Sequence, residues 1–414
     1  MTSKVDEEGS ATVALHRRET SASGYWGHPG ICTVTFCEGD ASAAFEALRR
    51  RLAVVVNANP WMAGRLIAKK LVHPLKGSEA LVHEIISLHE ANAAVSRSRP
   101  YADLVKATGA NPSLAVQSGK KLQATRARVS KLSVVKTSSE GEFALVFSMS
   151  HVVADGHDYY KIYNMVAGSA PVEALDATRF SEYEAREPEW TGPKDFGWLS
   201  GFGLLKGMLG GLLCGPKSSW CCFYVDEAKV ATAKAAAAAA GTAAFVSTND
   251  VLTSHFCQAA RARVGMMVIN MRGKIPLGIT DLHAGCYEGC LLLDPLNYHE
   301  PAAIRACLAA GMPYTRQARS PALPGACQAC PMALITSWAS FPFDLSLEGF
   351  GRQLLHLPCM AMPDVMDVCV AFKPQPGRLA MLYLAKRAKP NRLTRPHDTV
   401  LGATVDEGLF PLGR

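Results

Sequence analysis

The stretch "FALVFSMSHVVADGHDYYKIYNMV", residues 143–166, decides the fold. Its first half is an apolar run with the composition of a strand buried on both faces. After Gly156 the apolar residues Tyr159, Tyr160, Ile162, Tyr163 and Val166 fall at helical spacing. His151 therefore sits where a buried strand ends and before a helix begins. Ends of strands are where α/β folds present reacting groups. A neutral imidazole is the usual general base near pH 7. Asp155, four residues on, would support the turn that aims it, directly or by pairing with a cation elsewhere. Gly156 lets the backbone turn tightly and leaves room for a substrate. No serine or cysteine nucleophile follows in motif context, which favours a base acting on the substrate's own hydroxyl or amine. A structural histidine is the competing reading, and His-x-x-x-Asp-Gly alone does not separate the two.

Working outward, the same alternation of strands and helices recurs in both halves, so the fold class is α/β. "KLSVVKTSSEGEFALVFSMSH" reads as two strands joined by a Ser-Glu-Gly turn. "VDEAKVATAKAAAAAAGT" reads as a helix capped by Asp226 and stopped by Gly241. "VSTNDVLTSHFCQAARAR" reads as another, with Ser247 or Thr248 at its N-cap. "VGMMVINMR" is a strand leading to Arg272, and "ALITSWASFPFDLSL" and "GRLAMLYLAKRA" add strand-like runs. Residues 170–195 read as loop, and residues 1–24 as a polar, flexible N-terminus.

A length of 414 residues suits two domains. Lys plus Arg number 43 against 36 Asp plus Glu, a net charge of +7 spread along the chain. That excess helps hold a phosphorylated small molecule but lacks the concentrated basic face of a nucleic-acid binder, and no nucleic acid is expected. The first 20 residues have no apolar core of a secretory signal, so a cytoplasmic chain with reduced thiols is expected. Cys286, Cys290, Cys327 and Cys330 lack a zinc framework's spacing and read as free cysteines, so no metal is expected. P-loop, zincin and G-x-S-x-G motifs are absent.

One segment stands apart. In "WLSGFGLLKGMLGGLLCG", 198–215, Gly203, Gly207, Gly211 and Gly215 recur every fourth residue. On a helix they form one bare stripe, a packing face of small residues. The run is short for a membrane span and carries Lys206 at its middle. It reads as a buried hairpin, a greasy flap over a substrate tunnel, or a peripheral membrane contact.

"SHVVADG" after an apolar strand resembles the active-site signature of the chloramphenicol acetyltransferase-like superfamily, which includes the BAHD acyltransferases, condensation domains and wax ester synthases. Other pieces resemble BAHD segments in the same order. "NPWMAGRL" (59–66) is similar to "yPlAGRL", and residues 246–263 to the segment that opens the second domain. "VINMRGKIPLG" (268–278) and "ITSWASFPFDLSLEG" (335–349) resemble two later strands. "GCYEGCLLL" (285–293) stands where those enzymes have a Gly-rich turn, with Cys290 in place of its Asn. The C-terminal "DFGwG" has become "LSLEG", and the literal "DFGW" at Asp195–Trp198 is a coincidence of position.

The resemblance implies two similar chloramphenicol acetyltransferase-like domains with a tunnel between them. Its division of the chain is a flexible 1–24, an N-terminal domain 25–185, a crossover 186–245 and a C-terminal domain 246–414. It implies an acyl-CoA-dependent acyltransferase whose acceptor is an apolar alcohol or amine. His151 would be the base, with Asp155 turned away to pair with Arg272 and Gly156 at the turn. Ser337 would supply the oxyanion donor. Thr336, Trp338, Ser247 and Thr248 would line the CoA path. A monomer is expected. The alternatives are a non-catalytic lipid- or partner-binding protein of the same fold, and a condensation enzyme acting on carrier-bound thioesters.

Overall fold

The structure is a computed structural model. It describes all residues except 1–3, 6–8, 22–23, 242, 310, 326–329, 342, 348, 360, 362–363, 395–399 and 412–414.

The described strands fall into three sheets. A five-stranded sheet has the order β13 (Phe350–Pro358), β3 (Ile31–Gly39), β8 (Glu142–Met149), β7 (Ser130–Lys136), β6 (Ile86–His89). A seven-stranded sheet has the order β11 (Glu288–Leu293), β10 (Val264–Asn270), β12 (Met332–Ser337), β14 (Asp367–Gln375), β15 (Arg378–Ala385), β9 (Ser219–Val225), β16 (Leu401–Thr404). A small sheet runs β1 (Lys4–Val5), β2 (Ser10–Ala14), β5 (Lys70–Pro74), β4 (Arg65–Ile67).

Local chemistry explains the elements that frame the site. β8 is flanked by β3 and β7 and buried from Phe143 to Met149, which is why its sequence is continuously apolar rather than alternating. The helix Ala41–Ala58 starts where Asp40 accepts from the Ala43 N–H at 2.7 Å, and buries Ala44, Leu48, Leu52, Val55 and Val56 at helical spacing. The helix Gly156–Val166 starts on Asp155 and buries the tyrosines read from the sequence. These two helices and one face of the five-stranded sheet enclose the first core. A second core forms where Val34, Phe36, Ala144 and Val146 meet Met266, Leu292, Val368 and Val370 of the seven-stranded sheet. A third lies between that sheet and the helices Thr248–Ala260 and Pro301–Ala309.

Three expectations are corrected. Residues 1–24 are not simply a flexible leader: β2 buries Ala11 and Val13 and pairs with β5, and Glu19 is fully buried against Arg179 at 2.9 Å. The expected loop 170–195 is helical in its second part, where the helices Glu182–Thr191 and Pro193–Ser200 begin. Their sequence is too polar to show a period, and Tyr183 and Trp190 are seated by a tertiary cluster with Met271, Ile275 and Tyr287. Sheet membership also cuts across the expected boundaries. β9, within the crossover 186–245, belongs to the seven-stranded sheet, and β13, within 246–414, pairs antiparallel with β3 of the first.

The 198–215 segment is neither a hairpin nor buried. It ends one helix and forms another, Phe202–Cys214, bent by 48° from its predecessor. Among the described residues no single helix is long and apolar enough to cross a membrane.

Candidate active site

β8 ends at Met149, and the turn that follows carries His151 to a cavity of about 360 Å³. Strands of both large sheets form its walls: Ile31 from one side, and Met266, Val268, Leu334, Val368 and Val370 from the other. The His151 ring is half-buried and stacks on Tyr25, centroids 4.1 Å apart and planes 11° apart. Behind it, the Cys286 thiol lies 3.8 Å from Nδ1 and donates to the His151 carbonyl at 3.0 Å. Burial pushes the Cys286 thiol up, and nearby Glu19, Glu288 and Asp155 add to the effect, so it stays protonated.

The loop that carries the base is fixed by buried charge. Asp155 Oδ1 accepts from the N–H groups of His157 and Asp158 at 3.1 and 3.2 Å, which caps the helix. Its Oδ2 accepts from Arg272 Nη1 at 2.7 Å and the Tyr287 N–H at 3.1 Å. Both carboxylate oxygens are thus directed away from the imidazole. Arg272 also donates to Asp158 Oδ1 at 2.9 Å and to the carbonyls of Gly285 and His283 at 2.8 and 3.0 Å. Burial alone would raise Asp155, but the Arg272 charge and hydrogen bond outweigh it and hold the carboxyl below its usual range. Asp158 shares the same guanidinium. Burial pushes it up to about 8, with the Asp155 charge adding to burial and Arg272 opposing.

A second buried arginine grips the loop from the other side. Arg179 donates to the Val153 carbonyl at 3.0 Å and the Ala284 carbonyl at 2.7 Å. Its Nε donates to both oxygens of Glu19, which in turn accepts from the Cys286 N–H at 3.1 Å.

Thr336, Ser337 and Trp338 line the facing wall. The Trp338 N–H donates to the Ala371 carbonyl at 2.7 Å, and its ring meets Tyr160 edge-on at 5.5 Å. A Cβ on Gly156 would come within 3.2 Å of Trp338 Nε1, so this glycine permits a close approach.

Ser247 and Thr248 are elsewhere. Ser247 Oγ accepts from the Asp250 N–H at 3.1 Å, and Asp250 accepts from the Ser247 N–H at 2.8 Å, a reciprocal helix cap. Thr248 Oγ1 accepts from Lys234 at 2.8 Å. Their hydroxyls serve the helix start, and neither residue lines the His151 cavity.

Sequence reading missed several residues that the fold brings to His151. Tyr25 donates its hydroxyl to the Glu288 carboxylate, and Arg18 donates to the Glu288 carbonyl at 2.7 Å. His28 lines the cavity; burial, with the His151 charge second, lowers its pKa to about 4, so it is neutral at pH 7. The only signals were the aromatic, Gly-rich "GYWGHPG" (24–30) and the acid within "CYEGC" (286–290). Cys327 lies outside the described residues. Among those residues, no cluster of three His, Cys, Asp or Glu is placed to hold a metal ion.

Solved structures similar to this chain span nearly all of it. Vinorine synthase aligns with a TM-score of 0.58 at 12% identity, covering 94% of this chain and 91% of its own. F. sporotrichioides TRI101, solved with coenzyme A and T-2, aligns with a TM-score of 0.60 at 14% identity, covering 95% and 99%. The first condensation domain of the calcium-dependent antibiotic synthetase aligns at 0.56 and 14%, covering 91% of each chain. This chain has the chloramphenicol acetyltransferase-like fold. No family model and no curated protein matches its sequence. At these identities the likeness is one of architecture.

Proposed function

We propose that this chain is an acyltransferase that moves an acyl group from a CoA thioester to the hydroxyl or amine of an apolar acceptor. The observation that carries the reading is a half-buried imidazole, His151, open to a mostly apolar cavity on a loop held by the Asp155–Arg272 pair. With Nδ1 turned to Cys286, Nε2 is the nitrogen left for the acceptor. The acceptor oxygen or nitrogen attacks the thioester carbon as Nε2 takes its proton. Ser337, with Thr336 as the second candidate, donates to the tetrahedral oxyanion. Collapse breaks the carbon–sulfur bond, and the departing CoA thiolate recovers the proton from His151. The coenzyme A in the TRI101 structure supports CoA as the carrier here. The free cysteines suit a reducing, cytoplasmic setting, and the reading includes a monomer with peripheral membrane contact through 198–215.

The test is a screen of mass-tagged acyl-CoAs against a lipid and pigment extract. A product seen with wild type should fall by about 10²- to 10⁴-fold with His151→Ala at unchanged far-UV circular dichroism. Undiminished product from the variant removes His151 from the base role.

A further inference from the structure

The helix Phe202–Cys214 has two opposite faces. On the inner face, Gly203, Gly207 and Gly211 approach their neighbours so closely that a Cβ would strike Trp198, Met332 and the Val365 backbone at 2.4, 2.6 and 1.7 Å. The glycines therefore seat the helix on the protein itself. On the outer face Phe202, Leu205, Leu209, Leu212 and Leu213 are exposed at 68, 44, 46, 54 and 77%. They follow one helical stripe, and they form a larger contiguous apolar surface than isolated exposed side chains do.

Charge says what covers this face. Between Pro193 and Lys217 the cations are Lys194, Lys206 and Lys217. The one acid in that span, Asp195, is buried and paired with Arg316 at 3.0 Å. A leucine stripe in a segment with three lysines, whose one acid is buried and paired, is complementary to an anionic lipid surface. The flank between the two faces is continuous with the site: Leu199, Leu204 and Met208 line the His151 cavity.

We propose that the helix Phe202–Cys214 lies flat on an anionic bilayer surface, and that the apolar acceptor reaches the His151 cavity from that surface. The glycine contacts argue against spanning, because insertion would pull the inner face off the seven-stranded sheet. The docking half stands alone, and the delivery half rests on the acyl-transfer reading.

The experiment is co-sedimentation with vesicles of phosphatidylcholine alone and with about 30% phosphatidylserine, a composition that gives a negative surface potential. Wild type should pellet with the anionic vesicles, and more weakly in high salt. The double variant Leu209→Glu, Leu213→Glu should bind about 100-fold more weakly, since two exposed leucines no longer enter the interface. Its thermal unfolding should match wild type, because both positions are exposed. His151→Ala should bind vesicles like wild type, which separates this test from that of catalysis. Wild type left in the supernatant, or a double variant that pellets equally, overturns docking. So does a wild-type dimer that the double variant makes monomeric, because the face would then be covered by a second copy. If vesicles bind but transfer to a vesicle-embedded acceptor is equal for wild type and double variant, delivery is overturned.

Discussion

Arg272 donates to Asp155 at 2.7 Å across 117 residues of sequence, and neither side chain reaches solvent appreciably. This one contact ties the turn after β8 to the loop after β10, one from each large sheet. Breaking it strands charge in a dry interior. Arg272→Ala leaves the buried Asp155 carboxylate without its cation and should cost about 3–5 kcal/mol in urea unfolding. Asp155→Ala also removes the helix cap and frees the His151 loop. Transfer by its surviving folded fraction should fall on the order of 100-fold, as expected when a reacting group is misplaced. Wild-type rates from a folded Asp155→Ala protein would show that the pair does not aim the base.

Asp158 gives the same cluster a distinct pH signature. Its folded pKa is raised to about 8, well above that of a free carboxyl. A raised pKa means the folded state binds the proton more tightly than the unfolded chain does. The stabilisation is therefore full below about pH 4, declines as pH rises, and is gone above about 8. Asp158→Asn keeps the neutral form and should flatten this decline, while Asp155→Asn, which removes a required charge, should not. Thermal unfolding of the three proteins from pH 5 to 9 reads the difference. Identical slopes in wild type and Asp158→Asn would contradict a proton on Asp158.

His28 acts in the opposite direction. Its pKa is lowered to about 4 by burial and by His151 beside it, against 6.5 for a free imidazole. A depressed pKa means the folded state resists protonation. The stability tied to neutral His28 is present above about pH 6.5 and is lost as pH falls through about 4. His28→Gln should reduce acid sensitivity between those limits, measured as the pH dependence of the urea midpoint. An unchanged acid limb would mean that His28 is not buried as a neutral ring.

How much of this was legible in the sequence depends on whether a residue's role is local or brought from afar. The turn after β8 was local: an apolar run, His151, Asp155 and a helical period of tyrosines stand within 24 residues. Arg272 was reachable because it ends a strand-like run that matches a family segment in order. Tyr25, Glu288 and Arg179 were not, since the Tyr25–His151, Arg179–Glu19 and Tyr25–Glu288 pairings span 126 to 263 residues and no local pattern encodes them. β13 was hidden for the same reason. Its "FGRQLLHLP" carries two polar residues early and a β-bulge about Gln353, so its period is broken, and it crosses to the other sheet. Ser247 is ambiguous for a different reason: a helix N-cap and a phosphate site ask for the same residue types.

The last prediction concerns Gly156, where sequence suggested room for a substrate and the structure supplies a specific neighbour. Gly156 is the first residue of its helix, where alanine gains only part of the about 0.5–1 kcal/mol by which it is favoured over glycine in a helix interior. Against that, the new methyl would sit 3.2 Å from Trp338 Nε1, tighter than ordinary contact. The Trp338 ring is only half-buried and is a wall of the cavity, so it can shift by the few tenths of an ångström required. The two effects nearly cancel in stability, and Gly156→Ala should unfold within about 1 kcal/mol of wild type. The strain appears instead in the site. A displaced indole narrows the cavity opposite His151, so KM for the acceptor should rise several-fold, and tryptophan fluorescence should shift without a change in far-UV circular dichroism. Loss of several kcal/mol of stability would show that Trp338 is rigidly held. An unchanged KM and an unchanged emission spectrum together would show that the indole does not border the acceptor.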